Sequence, residues 1–451
     1  MRKNFIIGLF LLFPLAMMGQ EKLTLRQCRE MALQNNKQMA AAVRQTKGAR
    51  YLQKSYKGNF FPNFSAYARD MYGTLDGTLN IPGGNLPVFI PLKPDKPLPI
   101  GFAYFPGIDL NMEVKNIFMT GVAMEQPLYM GGKIMAAYKM SKLGTLASSL
   151  NEQLTASEVI LETENAYALL VKANEMKKVA TTYQSLLNEL MKVVESAHKH
   201  GLKPKNDVLK VQVKLNESEL AVRKAENACR LATMNLCHLI GKPLTSEIEI
   251  DGVYPHVPSR ASEELATISE RPEYGMLDKK VAIAKQQVNL QRSELLPKIG
   301  VRGSYDYTDG LKMNDQKLFN KGSFSVMVNV TVPIFHFGER YNKVKAAKMS
   351  LEQARLEQAN LNEKMTLELV QAENNWDEAR LEADIANRSL EQAVENQRVS
   401  RSQYEAGLET LSDHLEAQAL WQAAYATQVD ANFQLYLQYV QYLKAAGKLK
   451  E

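Results

Sequence analysis

The chain has 451 residues, 23% of them charged and 45% hydrophobic, with Lys and Glu mixed along its whole length and a formal net charge of +6. So small and so evenly spread a balance is no nucleic-acid footprint, and three cysteines cannot build a disulfide framework. Beyond the N-terminal apolar run no window approaches about twenty consecutive apolar residues, which excludes a membrane-spanning helix and leaves strands as the only way across.

Met1, Arg2 and Lys3 precede the run FIIGLFLLFPLAMMG. This is the charged start and short apolar core of a secretory signal, expected over residues 1–20. No cysteine follows it directly, which argues against a lipid-anchored N-terminus. A first unit is then expected over 21–241, opening with a helix across 23–58 that begins LTLRQCREMALQNN. Two strands follow, FFPNFSAYARDMY (60–72) and NIFMTGVAMEQP (116–127). The stretch between them, 81–107, is too proline-rich for a strand interior and reads as an exposed loop.

Next comes QPLYMGGK, and 206 positions later its near twin VPIFHFGE. Pro127 pairs with Pro333 and Gly132 with Gly338, so each stretch reads as a strand that stops and turns into a helix. The proline-free runs 131–199 and 338–405 are rich in Ala, Leu, Glu, Gln and Lys, a helix-forming composition. In the first run Leu169, Ala173, Met176, Ala180, Tyr183, Leu187, Leu190, Val194 and Ala197 follow by steps of four and three, a coiled-coil seam. In the second the seam is Leu361, Met365, Leu369, Ala372, Trp376, Ala379, Ala383, Ala386 and Leu390. Each unbroken run would reach about 100 Å at about 1.5 Å per residue.

Both runs end at a glycine, Gly201 in AHKHGLKPKNDVL and Gly407 in YEAGLETLSDHL, again 206 apart. A glycine followed by turn and cap residues stops a helix and reverses it. Returning helices are expected over 207–240 and 413–446, giving long antiparallel helical hairpins. Residues 242–270 read as a mixed connector, and 271–447 as a second unit with its own leading helix (271–296). Its strands alternate cleanly. Ile299, Val301, Tyr305 and Tyr307, and then Phe324, Val326, Val328 and Val330, form one apolar face, while Lys298, Arg302, Ser304, Asp306, Ser325 and Thr331 form a wet one. The unit is written twice.

Four strands per chain cannot close a barrel around a lumen, and an open edge in hydrocarbon leaves backbone groups unpaired at several kcal/mol each. Several chains must therefore share one barrel. Eight strands fill their interior with side chains and twelve leave a lumen, which the wet faces favour.

Strand hairpin, P-[IL]-[FY]-x-x-G, long heptad helix, G-L reversal and returning helix, all twice over behind an export signal, resemble the outer membrane factor family. These are the TolC-like exit ducts of Gram-negative tripartite efflux pumps and type I secretion systems. LTLRQCREMALQNN resembles the family's opening motif, with Cys28 where alanine is usual. The resemblance spans essentially the whole mature chain. It implies an α+β membrane protein: a homotrimer with one shared twelve-stranded β-barrel in outer-membrane lipid and a large periplasmic tube of paired helices, with 242–270 as an equatorial connector. It also implies a periplasmic adaptor protein and an inner-membrane transporter as partners.

The resemblance places Gly201, Leu202, Gly407 and Leu408 at the periplasmic tip, where adaptor hairpins dock; the other reading has both leucines packed inward as helix caps. It places Asp413 and Glu416, in DHLE, at acidic rings of a constricted mouth. Thr410-Leu411-Ser412-Asp413 reads equally as a helix cap. Tyr404 matches an aromatic of the family's constriction, whereas Glu409 stands where an arginine is expected. His198 and His200 would point about 200° apart on a helix and make no metal pair. MGGK (130–133) lacks the spacing of a phosphate loop. No catalytic constellation and no cofactor site stand out, and no enzyme is expected. The competing function is a periplasmic coiled-coil scaffold without a pore.

Overall fold

The computed structural model describes residues 22–90, 98–258, 267–314, 316–317 and 321–450. The expected signal, 1–20, lies outside the described residues. In chain order the elements are α1 (Leu25–Asn35), α2 (Lys37–Gly58), β1 (Asn63–Ile81), β2 (Gly84–Ile90), β3 (Leu98–Phe105), β4 (Ile108–Met130), α3 (Lys133–Lys199) and α4 (Lys205–Ile240). A 3-10 turn (Ile268–Glu270) leads to α5 (Pro272–Ser293), β5 (Lys298–Met313), β6 (Gln316–Lys317), β7 (Gly322–Thr331), α6 (Glu339–Glu405) and α7 (Leu411–Ala445). The chain divides into two units, one made of residues 1–49, 144–281 and 354–451, the other of 50–143 and 282–353. Among the described residues no helix is long and apolar enough to cross a membrane.

The helical unit is organised by its seams. Ala173, Ala180, Tyr183, Leu187, Leu190 and Val194 are buried, as are Met365, Leu369, Ala372, Trp376, Ala379, Ala383 and Ala386. Leu169 and Leu361 depart from the expected seams and are exposed. Over 159–171 helix α3 is buried on several sides at once, because Leu25 and Cys28 of α1, Leu236 and Ile240 of α4, Ile250 of the connector and Phe433 and Tyr436 of α7 share its core. A straight helix also drifts about 20° per heptad from a 3.5-residue seam.

The LTL motif acquires a mechanism here. Leu23 bridges Ile250, and Thr24 caps α1: its hydroxyl accepts from the Gln27 N–H while Gln27 Oε1 accepts from the Thr24 N–H at 2.8 Å. Cys28 is fully buried, and burial pushes its thiol up to about 12.

The other unit is a sheet in the order β1-β4-β5-β7, antiparallel throughout, with β6 extending the far end of β5. The first strand pair is much longer than expected. Of the proline-rich stretch 81–107, residues 91–97 lie outside the described residues; the rest differs from the expected loop, since β2 and β3 form a two-stranded ribbon in which Val88, Pro87 and Leu86 face Gly101, Phe102 and Ala103. Both strands of a ribbon are edge strands, so a proline's missing N–H need not break a ladder. The described side chains of β2 are exposed, as anticipated for the segment.

Candidate functional site

In the sheet, alternation carries side chains to opposite faces. Register aligns Phe64 with Met124, Ala66 with Val122, Val122 with Tyr305, and Tyr305 with Phe324, so the apolar faces of all four strands coincide. Phe64, Val122, Phe324 and Val326 are more than half exposed. A broad apolar face without protein cover is the pattern of a lipid-facing wall.

The opposite face is a hydrogen-bonded layer. Ser304 bonds Ser325 at 2.9 Å and Asp306 at 2.6 Å, and Arg302 pairs with Glu125 at 3.2 Å across the β4–β5 boundary. Tyr67 of β1 donates to Asp306 of β5, over the intervening strand. That reach requires Gly121, which lies between them in register. A Cβ there would stand 2.6 Å from the Tyr305 carbonyl oxygen and 2.7 Å from Asp306 Oδ1. Among the described residues, β1 beyond β4 and β7 beyond β5 have no further strand partner.

The strand-to-helix turns are twins in backbone. Gly131 (φ +63) and Gly132 (φ +85) precede α3; Phe337 (φ +46) and Gly338 (φ +80) precede α6. Gly131 is obligatory by contact as well, since a Cβ would lie 2.4 Å from the Ser293 carbonyl oxygen. Pro127 stays inside β4, opposite Gly300, whereas Pro333 lies beyond β7 and has no ladder partner. Outside the strands, Glu294 binds Lys298 and Lys133 (3.0 Å), and the Arg340 guanidinium donates to its backbone oxygen at 2.6 Å. The lysine bonds, led by Lys298, hold the Glu294 carboxyl down at about 2.

The two helix reversals also share one backbone. Gly201 and Gly407 take φ +73 and +74. The Leu202 N–H reaches the Ala197 carbonyl at 2.9 Å and the Leu408 N–H the Gln403 carbonyl at 2.8 Å, which is the Schellman closure. Both leucines are displayed, Leu202 at 76% and Leu408 at 81% exposure, so neither packs inward as a cap.

Asp413 takes part in the cap made by Thr410: the Thr410 hydroxyl accepts from its N–H at 3.3 Å and donates to its carboxylate at 2.6 Å. It remains exposed, as does Glu416 one turn on, so the two carboxylates share an outer face of α7. Tyr404 is half-buried, stacked on the His414 ring at 5.0 Å with Lys203 Nζ 5.2 Å from its own ring. Burial, then the Asp207 carboxylate, pushes its hydroxyl up. Glu409 is half-buried, and its Oε2 has no hydrogen-bond partner among the described residues.

The sequence reasoning missed His414. It is buried, bonded to Ser400 at 3.0 Å and to Gln418 at 2.9 Å, and burial lowers its pKa. The available signal was its place between Leu411 and Leu415, with Gln418 one turn on. Among the described residues no group of three or more His, Cys, Asp or Glu is placed to hold a metal ion.

The sequence profile described as outer membrane efflux protein matches residues 28–242 and 266–448. The alkaline protease secretion protein AprF of Pseudomonas aeruginosa is 23% identical over 320 residues, covering 68% of this chain and 65% of AprF, so the match spans just under two thirds of that relative. The pyoverdine export outer membrane protein OpmQ of the same organism is 26% identical over 330 residues, 71% and 67% of the two chains. The solved outer-membrane channel OprN superposes with a TM-score of 0.75 at 18% identity, over 94% of this chain and 89% of OprN. The Campylobacter jejuni CmeC outer membrane channel gives 0.74 at 20% identity, over 95% and 86%. These structures share the fold. With the profile matched on both sides of the connector, the chain belongs to the outer membrane efflux protein family.

Proposed function

We propose that this protein is the outer-membrane channel-tunnel of a tripartite efflux pump or type I secretion system, a passive duct from periplasm to exterior. The observation that carries this reading is the sheet: four strands with one apolar exposed face, one hydrogen-bonded polar face and two outer edges that have no strand partner among the described residues. Such a sheet satisfies its backbone in hydrocarbon only by closing with strands of other copies. Three copies would supply twelve strands, enough to leave a water-filled lumen.

The chain is a duplicated unit in this reading. Helices α3 and α6 begin 206 positions apart, at Lys133 and Glu339, and end the same distance apart, at Lys199 and Glu405. The exposed Leu202 and Leu408 are the residues an adaptor protein would grip at the periplasmic tip. Asp413 and Glu416 would line a cation-favouring constriction, with Tyr404 bracing the helices behind them. An inner-membrane transporter supplies the energy, and no catalytic step or cofactor is assigned to this chain. The relatives' names span protease secretion and pyoverdine export, so the family alone does not fix the cargo.

Single-channel recording in planar bilayers tests the reading. Detergent-extracted protein should give stepwise conductance, and Asp413→Ala with Glu416→Ala should weaken block by divalent cations. A soluble, non-conducting protein would instead favour the scaffold.

A further inference from the structure

The two halves of the sheet unit obey one transformation. Helix α2 (Lys37–Gly58) and α5 (Pro272–Ser293) are offset by 235 positions at both ends. The strand pairs keep the same register under the two offsets: Asn63↔Glu125 becomes Lys298↔Thr331, Ser65↔Ala123 becomes Gly300↔Asn329, and Tyr72↔Asn116 becomes Tyr307↔Gly322. A transformation that preserves every one of these pairs also maps the junction between the halves, where β4 meets β5, onto the junction β7 would make with a following β1.

At the internal junction Glu125, Ala123 and Gly121 face Arg302, Ser304 and Asp306, and Tyr129 faces Ile299. Carried over, Thr331, Asn329 and Met327 face Tyr67, Arg69 and Met71 of a second copy, and Phe335 faces Phe64. The contact is head-to-tail, the kind that closes a ring.

One position breaks the copying. Where the internal junction has Gly131 pressed on Ser293 and Leu296, the outer junction has Phe337, and the residues equivalent to Ser293 and Leu296 are Gly58 and Phe61. Phe337 is 92% exposed and packs edge-on with Phe335 at 4.7 Å. On the opposite rim, Phe61 and Phe64 are 61% and 74% exposed. The bulk missing inside the chain is present at its edge, and a matching pair of aromatic rings waits at the other edge.

We propose that β7 pairs with β1 of a second copy of this chain in the register that sets Asn329 opposite Arg69 of the partner subunit, and that Phe335 and Phe337 clasp Phe61 and Phe64 of the partner subunit. This rests on the shared-barrel reading and specifies its seam to the residue.

Four double variants of the full-length protein test the register. Asn329→Cys with Arg69→Cys and Met327→Cys with Met71→Cys are matched; Asn329→Cys with Met71→Cys and Met327→Cys with Arg69→Cys are slipped by two residues. Directly opposite Cβ atoms lie about 4.5–5.5 Å apart and diagonal ones about 7–8 Å, against the roughly 3.5–4.5 Å a disulfide spans. Mild oxidation of membranes should therefore give a covalent ladder of linked chains from both matched pairs, at least about fivefold stronger than from the slipped pairs. Each substitution appears in both classes, so a variant that fails to fold is recognised, and single-cysteine variants give the background from Cys28, Cys229 and Cys237.

Equal or stronger ladders from the slipped pairs overturn the register. So does the absence of any ladder from a preparation that remains oligomeric and conducting. A non-conducting single-chain particle removes the shared-barrel reading and the seam with it. Phe337→Ala should lower the temperature at which the oligomer dissociates in SDS; an unchanged temperature removes the clasp and leaves the register standing.

Discussion

The two helix reversals have the same backbone and different interiors. Gly201 and Gly407 turn through the same φ and the following leucine closes the same hydrogen bond. Behind Gly407 the side chains form a knot of Tyr404, His414, Ser400 and Gln418; at the position of His414 the first half has Val208. The returning helices also start differently, α7 from the side-chain cap of Thr410 and α4 from Pro204 without one. The two reversals share what the backbone requires of a helix reversal and differ in their side chains.

The halves can be set against each other by exchanging matched residues. The largest effect is expected at Glu164, which is fully buried and accepts from both Arg29 and Tyr436. Its counterpart is Val370, nearly half exposed. Glu164→Val leaves the buried Tyr436 phenol and the partly exposed Arg29 guanidinium without their acceptor and should cost about 1–3 kcal/mol, read as a lower denaturation midpoint, whereas Val370→Glu should cost almost nothing. Gly201→Ala and Gly407→Ala come next. Each forces a Cβ into the left-handed region at about 1–2 kcal/mol, and because neither position has an atom within contact range of that Cβ, the two losses should be equal. Unequal losses would show that the reversals differ in backbone as well.

Thr410→Ala should cost about 1 kcal/mol, and Pro204→Ala less, since no side-chain cap is lost. The smallest effect is a pH dependence confined to the second reversal. His414 has a folded pKa below its unfolded value, so its contribution is complete above about 6.5 and is lost as pH falls below that. Glu405 and Glu409 favour the charged ring and Arg401 opposes it, with burial the largest influence. Hydrogen exchange, corrected for its intrinsic pH dependence, should speed up in peptides around 404–416 between about pH 7 and pH 5 but not around 198–210, and His414→Gln should abolish the difference. Glu294 supplies a separate acid dependence near the strand bases. Its pKa is depressed, so its contribution is present above about 4.5 and is lost as pH falls toward about 2.

What could be read in the sequence was whatever depends on local spacing. The long helices, their glycine stops and the alternation in β5 and β7 are periodic, and period is visible in one dimension. The ribbon β2–β3 was hidden because proline opposes a strand interior and says nothing of a two-stranded edge, where Pro87 is tolerated. The burial of Glu164 was not legible because its partners Arg29 and Tyr436 lie 135 and 272 residues away. The burial of His414 depends on side chains of α3, α6 and α7 meeting around it, and none of those distances is written in its neighbours. At the sites, the positions of Gly201, Leu202, Gly407 and Leu408 were legible, but the exposure of the leucines was not.

The claim on which the account rests is that this sheet closes only with strands from other copies. Measuring the mass of the detergent-extracted particle tests it most directly, with bound detergent subtracted. A shared barrel should give a single species of three chains that falls to one chain on full denaturation. A folded particle of one chain, with the sheet's hydrogen exchange fully protected at both outer edges, would contradict it.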